Sequence, residues 1–153
     1  MLTAARRAGR WEGWRPALLI GQTLVGRTLG LVGFGRIAQA TARRARALGM
    51  RIAYHSRNRA PDSVAQALDA EYVPALDDLV ARADVLSIHV PGGEATWHLI
   101  DADRLARMPS HAILINTARG AIIDEAALAD ALKAGRIAAA GLDGYEYEPA
   151  VNP

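Results

Sequence analysis

The sequence contains no cysteine, which excludes disulfide bonds, thiolate metal sites and cysteine nucleophiles. This absence fits a reducing compartment, and we expect the protein to be cytoplasmic. Long apolar runs are also lacking. The longest have the length of a strand, so we expect no membrane-spanning segment and no membrane partner. The basic start, residues 1–10, has no apolar stretch behind it and does not resemble a secretory signal.

Lysine is scarce as well, with Lys133 the single one among 18 basic residues. Up to Arg59, twelve arginines stand against one acid, for a net charge of +11, whereas the remainder has six basic and fifteen acidic residues, for −9. Such asymmetry is found in nucleic-acid-binding proteins. Here the arginines are interspersed with alanine, and no zinc-finger or RNA-binding motif is present. A helix surface and an anion site explain the charge better, and we expect no nucleic-acid partner.

The chain has 153 residues, 51% of them hydrophobic, which is enough for one domain with a substantial core. Short apolar segments alternate with helical patterns along it. The segments expected to form strands are 28–32, 51–54, 72–73, 84–88, 112–115 and 137–142. Those expected to form helices are 36–48, 63–68, 76–82, 101–108 and 124–133. The alternation predicts an α/β fold: a doubly wound parallel sheet of the Rossmann type between two layers of helices.

The helix predicted over 36–48 carries a stripe of four residues on one face: Ile37, Thr41, Ala45 and Leu48. Gly49 is expected to end this helix as its C-terminal cap, and Asp124 to cap the start of the last helix. Residues 11–26 have no regular pattern, and we expect 1–26 to be a connecting segment ahead of the domain.

A glycine-rich loop separates the first strand from its helix. Gly33 permits a tight turn, Gly35 lets the backbone approach a pyrophosphate, and the small Ala38 allows the helix to pack on the strand. The free N–H groups at the helix start favour an anion, and Arg36 and Ile37 open that helix. Because the strand and the helix flank the loop on the correct sides, this pattern predicts a dinucleotide site.

The end of the second strand predicts which dinucleotide is bound. NAD sites usually place Asp or Glu there to bind the ribose 2′-hydroxyl. This strand is followed instead by a run without a carboxylate: Ser56, Arg57, Asn58 and Arg59. A 2′-phosphate would suit two arginines and a hydroxyl, so we favour NADP, as NADPH, over NAD. The alternative is that both arginines are solvated loop residues.

Residues 116–120, Asn-Thr-Ala-Arg-Gly, follow the buried strand 112–115. Arg119 therefore comes to the carboxyl end of a strand, where open α/β sheets bind their ligands. Its guanidinium is permanently charged and matches a carboxylate with two parallel hydrogen bonds. The alternative is an ordinary surface arginine in a loop between strand and helix.

Together these motifs resemble the D-isomer-specific 2-hydroxyacid dehydrogenases, and most of all the glyoxylate/hydroxypyruvate reductase branch. The resemblance covers essentially the whole chain, with Ala38 where glycine is commoner. It is carried by several motifs in the family's order: 9–14, 29–38, 89–96, 116–120, 124–125 and 141–143. The resemblance implies a nucleotide-binding domain that also forms a dimer interface. Trp11 and Trp14 would then face a second copy in a homodimer, although packing within one chain explains them nearly as well.

The resemblance also implies residue roles. Arg119 would grip the carboxylate of a 2-oxo acid and polarise its carbonyl, and Asp143 would hold the nicotinamide carboxamide. Glu148 would orient a catalytic histidine. Without the resemblance, Asp143 would be interpreted as a residue that caps a turn, and Glu148 as a solvated acid in a loop. Further cofactor contacts are implied for the loops after the fourth and fifth strands: His89, Val90, Pro91, Thr96, Thr117 and Ala118.

One departure limits what this chain is expected to do alone. The family's proton-donating histidine follows the Glu-Pro segment, beyond Pro153, and its substrate-binding domain has no counterpart here. His89 lies at a strand end but is a weak candidate for that acid, and we expect His98 and His111 on the periphery. We therefore expect part of an enzyme that reduces small 2-oxo acids by hydride transfer from NAD(P)H. The alternative is a non-catalytic, corepressor-like module that senses a dinucleotide.

Overall fold

The computed structural model describes residues 21–149. Predictions for the segment before residue 21, including Trp11 and Trp14, lie outside the described residues. Between residues 21 and 149, no helix is long and apolar enough to cross a membrane.

Six strands of the described part of the chain form one parallel sheet in the order β3-β2-β1-β4-β5-β6. Their bounds are β1 Thr28–Val32, β2 Arg51–His55, β3 Ala70–Tyr72, β4 Val85–Ile88, β5 Ile113–Asn116 and β6 Ala139–Leu142. The doubly wound parallel sheet predicted from the alternating pattern is thus confirmed. β6 starts two residues later than expected: Ile137 is buried in the core, but pairing with β5 begins at Ala139. β3 spans Ala70–Tyr72, where 72–73 was expected.

Among residues 21–149, five α-helices cover the sheet: α1 Arg36–Ala47, α2 Asp62–Leu68, α3 Leu76–Arg82, α4 Ala102–Arg107 and α5 Glu125–Lys133. The buried residues of α1 and α2 pack in one apolar cluster, and those of α3, α4 and α5 in another. The sheet therefore lies between two helical layers. Two short 3-10 helices, Glu94–Thr96 and Gly120–Ile122, lie in the loops after β4 and β5.

The packed face of α1 includes Ala45 of the stripe expected from the sequence but not Ile37 or Leu48. Ile37 and Leu48 are 73% and 56% exposed, and the buried residues of the helix are Ala38, Ala42 and Ala45. Small side chains let the helix lie close to the strands, so alanine is preferred where a larger apolar residue would push the two apart. The expected end of the helix is confirmed, because Gly49 follows it with φ +82°.

The strand register brings the loops that carry the predicted site residues to the same edge of the sheet. Val32 of β1 is level with His55 of β2 and with Ile88 of β4. Ile88 is in turn level with Asn116, and Asn116 with Leu142. The residues that follow these five positions therefore leave the sheet side by side at its carboxyl edge. That edge includes the reversal of strand order between β1 and β4, where doubly wound sheets bind ligands.

Candidate functional site

The glycine-rich loop turns at Gly33, whose φ is +91° and whose N–H donates to the His55 carbonyl at 2.7 Å. Gly35 precedes α1 in an extended conformation, and a Cβ built there would meet nothing within 4 Å. The first turn of α1 contains no acid, and no side chain caps it. The helix start therefore presents its N–H groups to open space, which fits the pyrophosphate of a dinucleotide. Ala38, with no exposed surface, is small enough for the close packing expected of it.

A cavity of about 280 Å³ opens beside this loop. It is bounded by Gly33, by Ser56 and Arg57 after β2, and by the loop 90–96. Its position next to the end of β2 fits the adenosine half of a dinucleotide. Ser56 donates a hydrogen bond from its hydroxyl to the Asn58 carbonyl at 2.7 Å, which folds the loop after β2 back on itself.

The two arginines of that loop lie in different surroundings. Arg57 is exposed and lines the cavity. Arg59 forms a salt bridge with Asp62 at 3.0 Å, and its guanidinium lies 6.0 Å from the centre of the Tyr72 ring. Asn58 and Arg59 are not among the residues that line the cavity. Of the two arginines predicted to bind a 2′-phosphate, Arg57 therefore lines the cavity at the end of β2 and Arg59 does not.

A larger cleft of about 870 Å³ adjoins the first, and the loop 90–94 lines both. Seven of the residues predicted to bind the cofactor line it together: Ile37, His89, Val90, Pro91, Thr117, Ala118 and Arg119. Thr96 lines the smaller cavity, and its hydroxyl donates to the Pro91 carbonyl at 2.7 Å. Loops after β1, β2, β4 and β5 thus line two cavities that share the segment 90–94.

Arg119 is presented by a turn that Asn116 builds. The Asn116 side chain is 1% exposed; its Nδ2 donates to the Arg119 carbonyl at 2.8 Å, and its Oδ1 accepts from the Ala118 N–H at 3.0 Å. The Arg119 stem lies against Gly92, and its Nη1 donates to the Ala118 carbonyl at 2.6 Å. Asn116 is thus a functional residue whose role the sequence pattern did not predict, although asparagine after a strand is typical of such turns.

His89 lies at the floor of the cleft, with Nε2 3.0 Å from the Ser87 hydroxyl. Burial lowers the pKa of His89 below its ordinary value, because a charged imidazolium is poorly solvated there. At neutral pH the ring is therefore uncharged. This state suits a residue that contacts a cofactor better than one that donates a proton to substrate.

Asp143 and Glu148 lie on the segment that follows β6. The Asp143 N–H donates to the Asn116 carbonyl at 2.9 Å, and the Glu148 carboxylate accepts from the Tyr145 N–H at 2.9 Å. Neither side chain lines the larger cleft. The segment does lie against the Arg119 loop, since a Cβ added to Gly120 would collide with the Tyr145 carbonyl group.

Two neighbouring aromatic residues were not predicted to belong to the site. Trp97 is 54% exposed and lines the larger cleft. The next residue, His98, is half-buried, and its ring stacks on that of Trp97 with centres 4.6 Å apart. His98 lines neither cavity, so the expectation that it is peripheral stays a prediction. His111 is exposed at the amino end of β5 and lies 2.6 Å from an Asp84 oxygen. No local pattern around His98 reveals its position.

Comparison with known proteins agrees with this geometry. Residues 2–153 match the model of the D-isomer specific 2-hydroxyacid dehydrogenase, NAD binding domain. The chain is 48% identical over 150 residues to a glyoxylate reductase of Thermococcus litoralis, covering 95% of this chain and 45% of that protein. A glyoxylate reductase of Korarchaeum cryptofilum is 49% identical over 144 residues, which is 94% of this chain and 43% of that one.

Solved structures give the same result. The crystal structure of a glyoxylate reductase from Paecilomyes thermophila superposes with a TM-score of 0.86 at 44% identity, covering 99% of this chain and 44% of that chain. The structure of D-lactate dehydrogenase with NAD+ from Lactobacillus jensenii has a TM-score of 0.84 at 34% identity, covering 96% and 43%. The chain thus spans less than half the length of the relatives it matches.

Proposed function

The chain belongs to the D-isomer-specific 2-hydroxyacid dehydrogenases, as their NAD-binding domain, and from this we propose that it is the nucleotide-binding half of an oxidoreductase. The reaction would move a hydride between a nicotinamide cofactor and a small 2-oxo acid of the glyoxylate or hydroxypyruvate type. The observation that carries the proposal is a pair of cavities that share the loop 90–94, one lined by Gly33 of the glycine-rich loop and the other by Arg119.

The residues present fit a dinucleotide. The open helix start at Gly35 suits the pyrophosphate, and the two adjoining cavities suit the halves on either side of it. When bound, a reduced nicotinamide supplies the hydride. Arg119 would bind the carboxylate of the 2-oxo acid and stabilise the negative charge that develops on its carbonyl oxygen. Glu148 would orient the histidine that donates the proton, a residue we expect outside this chain.

We further propose that the cofactor is NADPH in preference to NADH. Arg57 supports this, because it is an exposed cation that lines the smaller cavity next to Ser56, and no acid stands in the run 55–59. A 2′-phosphate there would gain a charge-assisted hydrogen bond, whereas the diol of NADH would not. A homodimer and a cytoplasmic location stay predictions.

The proposal is tested by titrating NADPH into the chain and following nicotinamide fluorescence. We expect saturable binding and energy transfer from tryptophan, because Trp97 lines the cleft. Replacing Trp97 with Phe should reduce that transfer while leaving affinity within about twofold. No binding at concentrations up to about 1 mM would contradict the proposal. Turnover of glyoxylate by residues 1–153 alone is not expected, so turnover would contradict the assignment of the proton donor to another segment.

A further inference from the structure

His98 has an unusual backbone conformation. Its φ is +45°, a left-handed value that a non-glycine residue rarely adopts and that persists where the surroundings enforce it. In this conformation the His98 N–H donates to the Ala121 carbonyl at 2.9 Å. Ala121 stands two residues after Arg119. The main chain of His98 is therefore joined to the loop that presents the arginine.

The side chain of His98 reaches a different loop. Its Nε2 lies 2.7 Å from Oε1 of Glu146. Because a carboxylate only accepts, Nε2 is the donor of this hydrogen bond. The Glu146 side chain is 3% exposed. Glu146 stands two residues before Glu148. His98 thus bonds through its main chain to a residue that follows Arg119 in sequence, and through its side chain to a residue that precedes Glu148.

Glu146 lies among other acids. The Glu146 N–H donates to the Glu125 carboxylate, and Asp124 has an oxygen 3.9 Å from Nδ1 of His98. The Tyr147 hydroxyl also bonds to Glu146, which raises the pKa of that tyrosine. A buried carboxylate beside like charges is costly unless a donor compensates it. Loss of the imidazole would therefore favour movement of Glu146 towards water, together with the segment that carries Glu148.

We propose that His98 is a positioning residue that ties the loop of Arg119 to the loop of Glu148. This inference rests on the proposed roles of those two residues. Its ring also packs on Trp97, so the same residue fixes a wall of the larger cleft. His98 acts through Glu146 and does not itself touch the reacting atoms.

Amide hydrogen exchange of the labelled chain, followed by NMR, tests this proposal without any ligand. The Tyr145 and Glu146 amides report on the loop, because their acceptors are the Glu148 and Glu125 carboxylates. In His98→Ala, we expect their exchange to rise about tenfold or more, while the buried Leu114 amide of β5 stays unchanged. In His98→Gln, whose amide nitrogen can replace Nε2, we expect slow exchange to be restored to within about threefold.

His111→Ala is the matched control, because it removes another histidine–carboxylate pair, with Asp84, at the opposite edge of the sheet. It should leave the Tyr145 and Glu146 amides unchanged. If His98→Ala does not fold, His98→Phe takes its place: it keeps an aromatic ring against Trp97 but cannot donate to Glu146, and should raise exchange at the same amides.

Unchanged exchange in folded His98→Ala, no rescue by glutamine, or an equal rise at Leu114 would overturn the proposal. Failure of the wild-type chain to bind NADPH would instead contradict the proposed function, and the exchange result would stand independently of it.

Discussion

Gly33 lies directly over the carbonyl oxygen of His89, so close that a Cβ on Gly33 would stand 2.7 Å from it. The glycine-rich loop of β1 and the loop after β4 therefore touch through their backbones. Gly33 also has φ +91°, so two independent constraints exclude a side chain there. Gly35 has neither constraint, since its φ is −75° and the space around it is open.

This contrast predicts different effects for two similar substitutions. Gly33→Ala should lower the free energy of unfolding by about 1 to 3 kcal/mol, because the turn must be strained or displaced. Gly35→Ala should leave stability within about 0.5 kcal/mol but weaken NADPH binding, because the methyl group occupies the approach of the pyrophosphate. Denaturant unfolding and fluorescence titration of both variants measure the two effects. Equal stability losses would mean that the close contact at Gly33 is unimportant.

Cofactor preference is expected to depend on Arg57 and not on Arg59. Arg57→Asp should weaken NADPH binding about tenfold or more and leave NADH binding unchanged or improved, because it places a negative charge near the 2′-phosphate. Arg59→Asp is the matched control; it breaks the exposed salt bridge with Asp62 outside the cavity, so NADPH affinity should change by less than about threefold. Equal NADPH and NADH affinities in the wild-type chain would contradict the preference itself.

Stability should depend on pH through His89. Burial keeps the folded pKa of His89 below the unfolded value of about 6.5, so the unfolded chain binds more protons between those two values. The free energy of unfolding should therefore fall as the pH is lowered through about 6.5 and be independent of this group above it. Replacing His89 with Gln should flatten that part of the profile, measured by urea unfolding from pH 8 to pH 5. A wild-type slope unchanged in the variant would show that other groups cause it.

Gly120 is expected to be intolerant of any side chain. A Cβ there would collide with the Tyr145 backbone, so Gly120→Ala should separate the Arg119 loop from the Glu148 segment and destabilise the fold by about 2 kcal/mol or more. Gly21→Ala, with open space around the added methyl group, is the control and should have no measurable effect. Thermal unfolding compares the two. A stable Gly120→Ala chain would mean that the two segments separate at little cost.

The sequence predicted the sheet well because a buried parallel strand needs a short apolar run, such as the one before Asn116. On α1 the prediction was right for Ala38 and Ala45, which are buried, and wrong for Ile37 and Leu48, which are exposed. It missed Ala42 because alanine carries little hydrophobic signal, although close helix packing selects it there.

Residues of the candidate site could be predicted from sequence where a local motif specifies the chemistry, as around Gly33 and Arg119. They were missed where contacts join distant parts of the chain. His98 and Glu146 are 48 positions apart, and neither belongs to a pattern that anticipates their hydrogen bond. The difference between Arg57 and Arg59 could have been anticipated, because Asp62 stands three positions after Arg59 at the start of a helix and offers it a partner.

The loop 90–94 lines both cavities, whereas Arg57 faces only the smaller one and Arg119 only the larger. For protein engineering, each cavity can therefore be altered at its own arginine, whereas the loop 90–94 is common to both cavities. Under the proposed function, substitutions at Arg57 should change cofactor preference through the smaller cavity alone, and substitutions at Arg119 should change binding in the larger cleft alone. A change within 90–94 should affect both properties together, so directed evolution of either one is best started outside that loop.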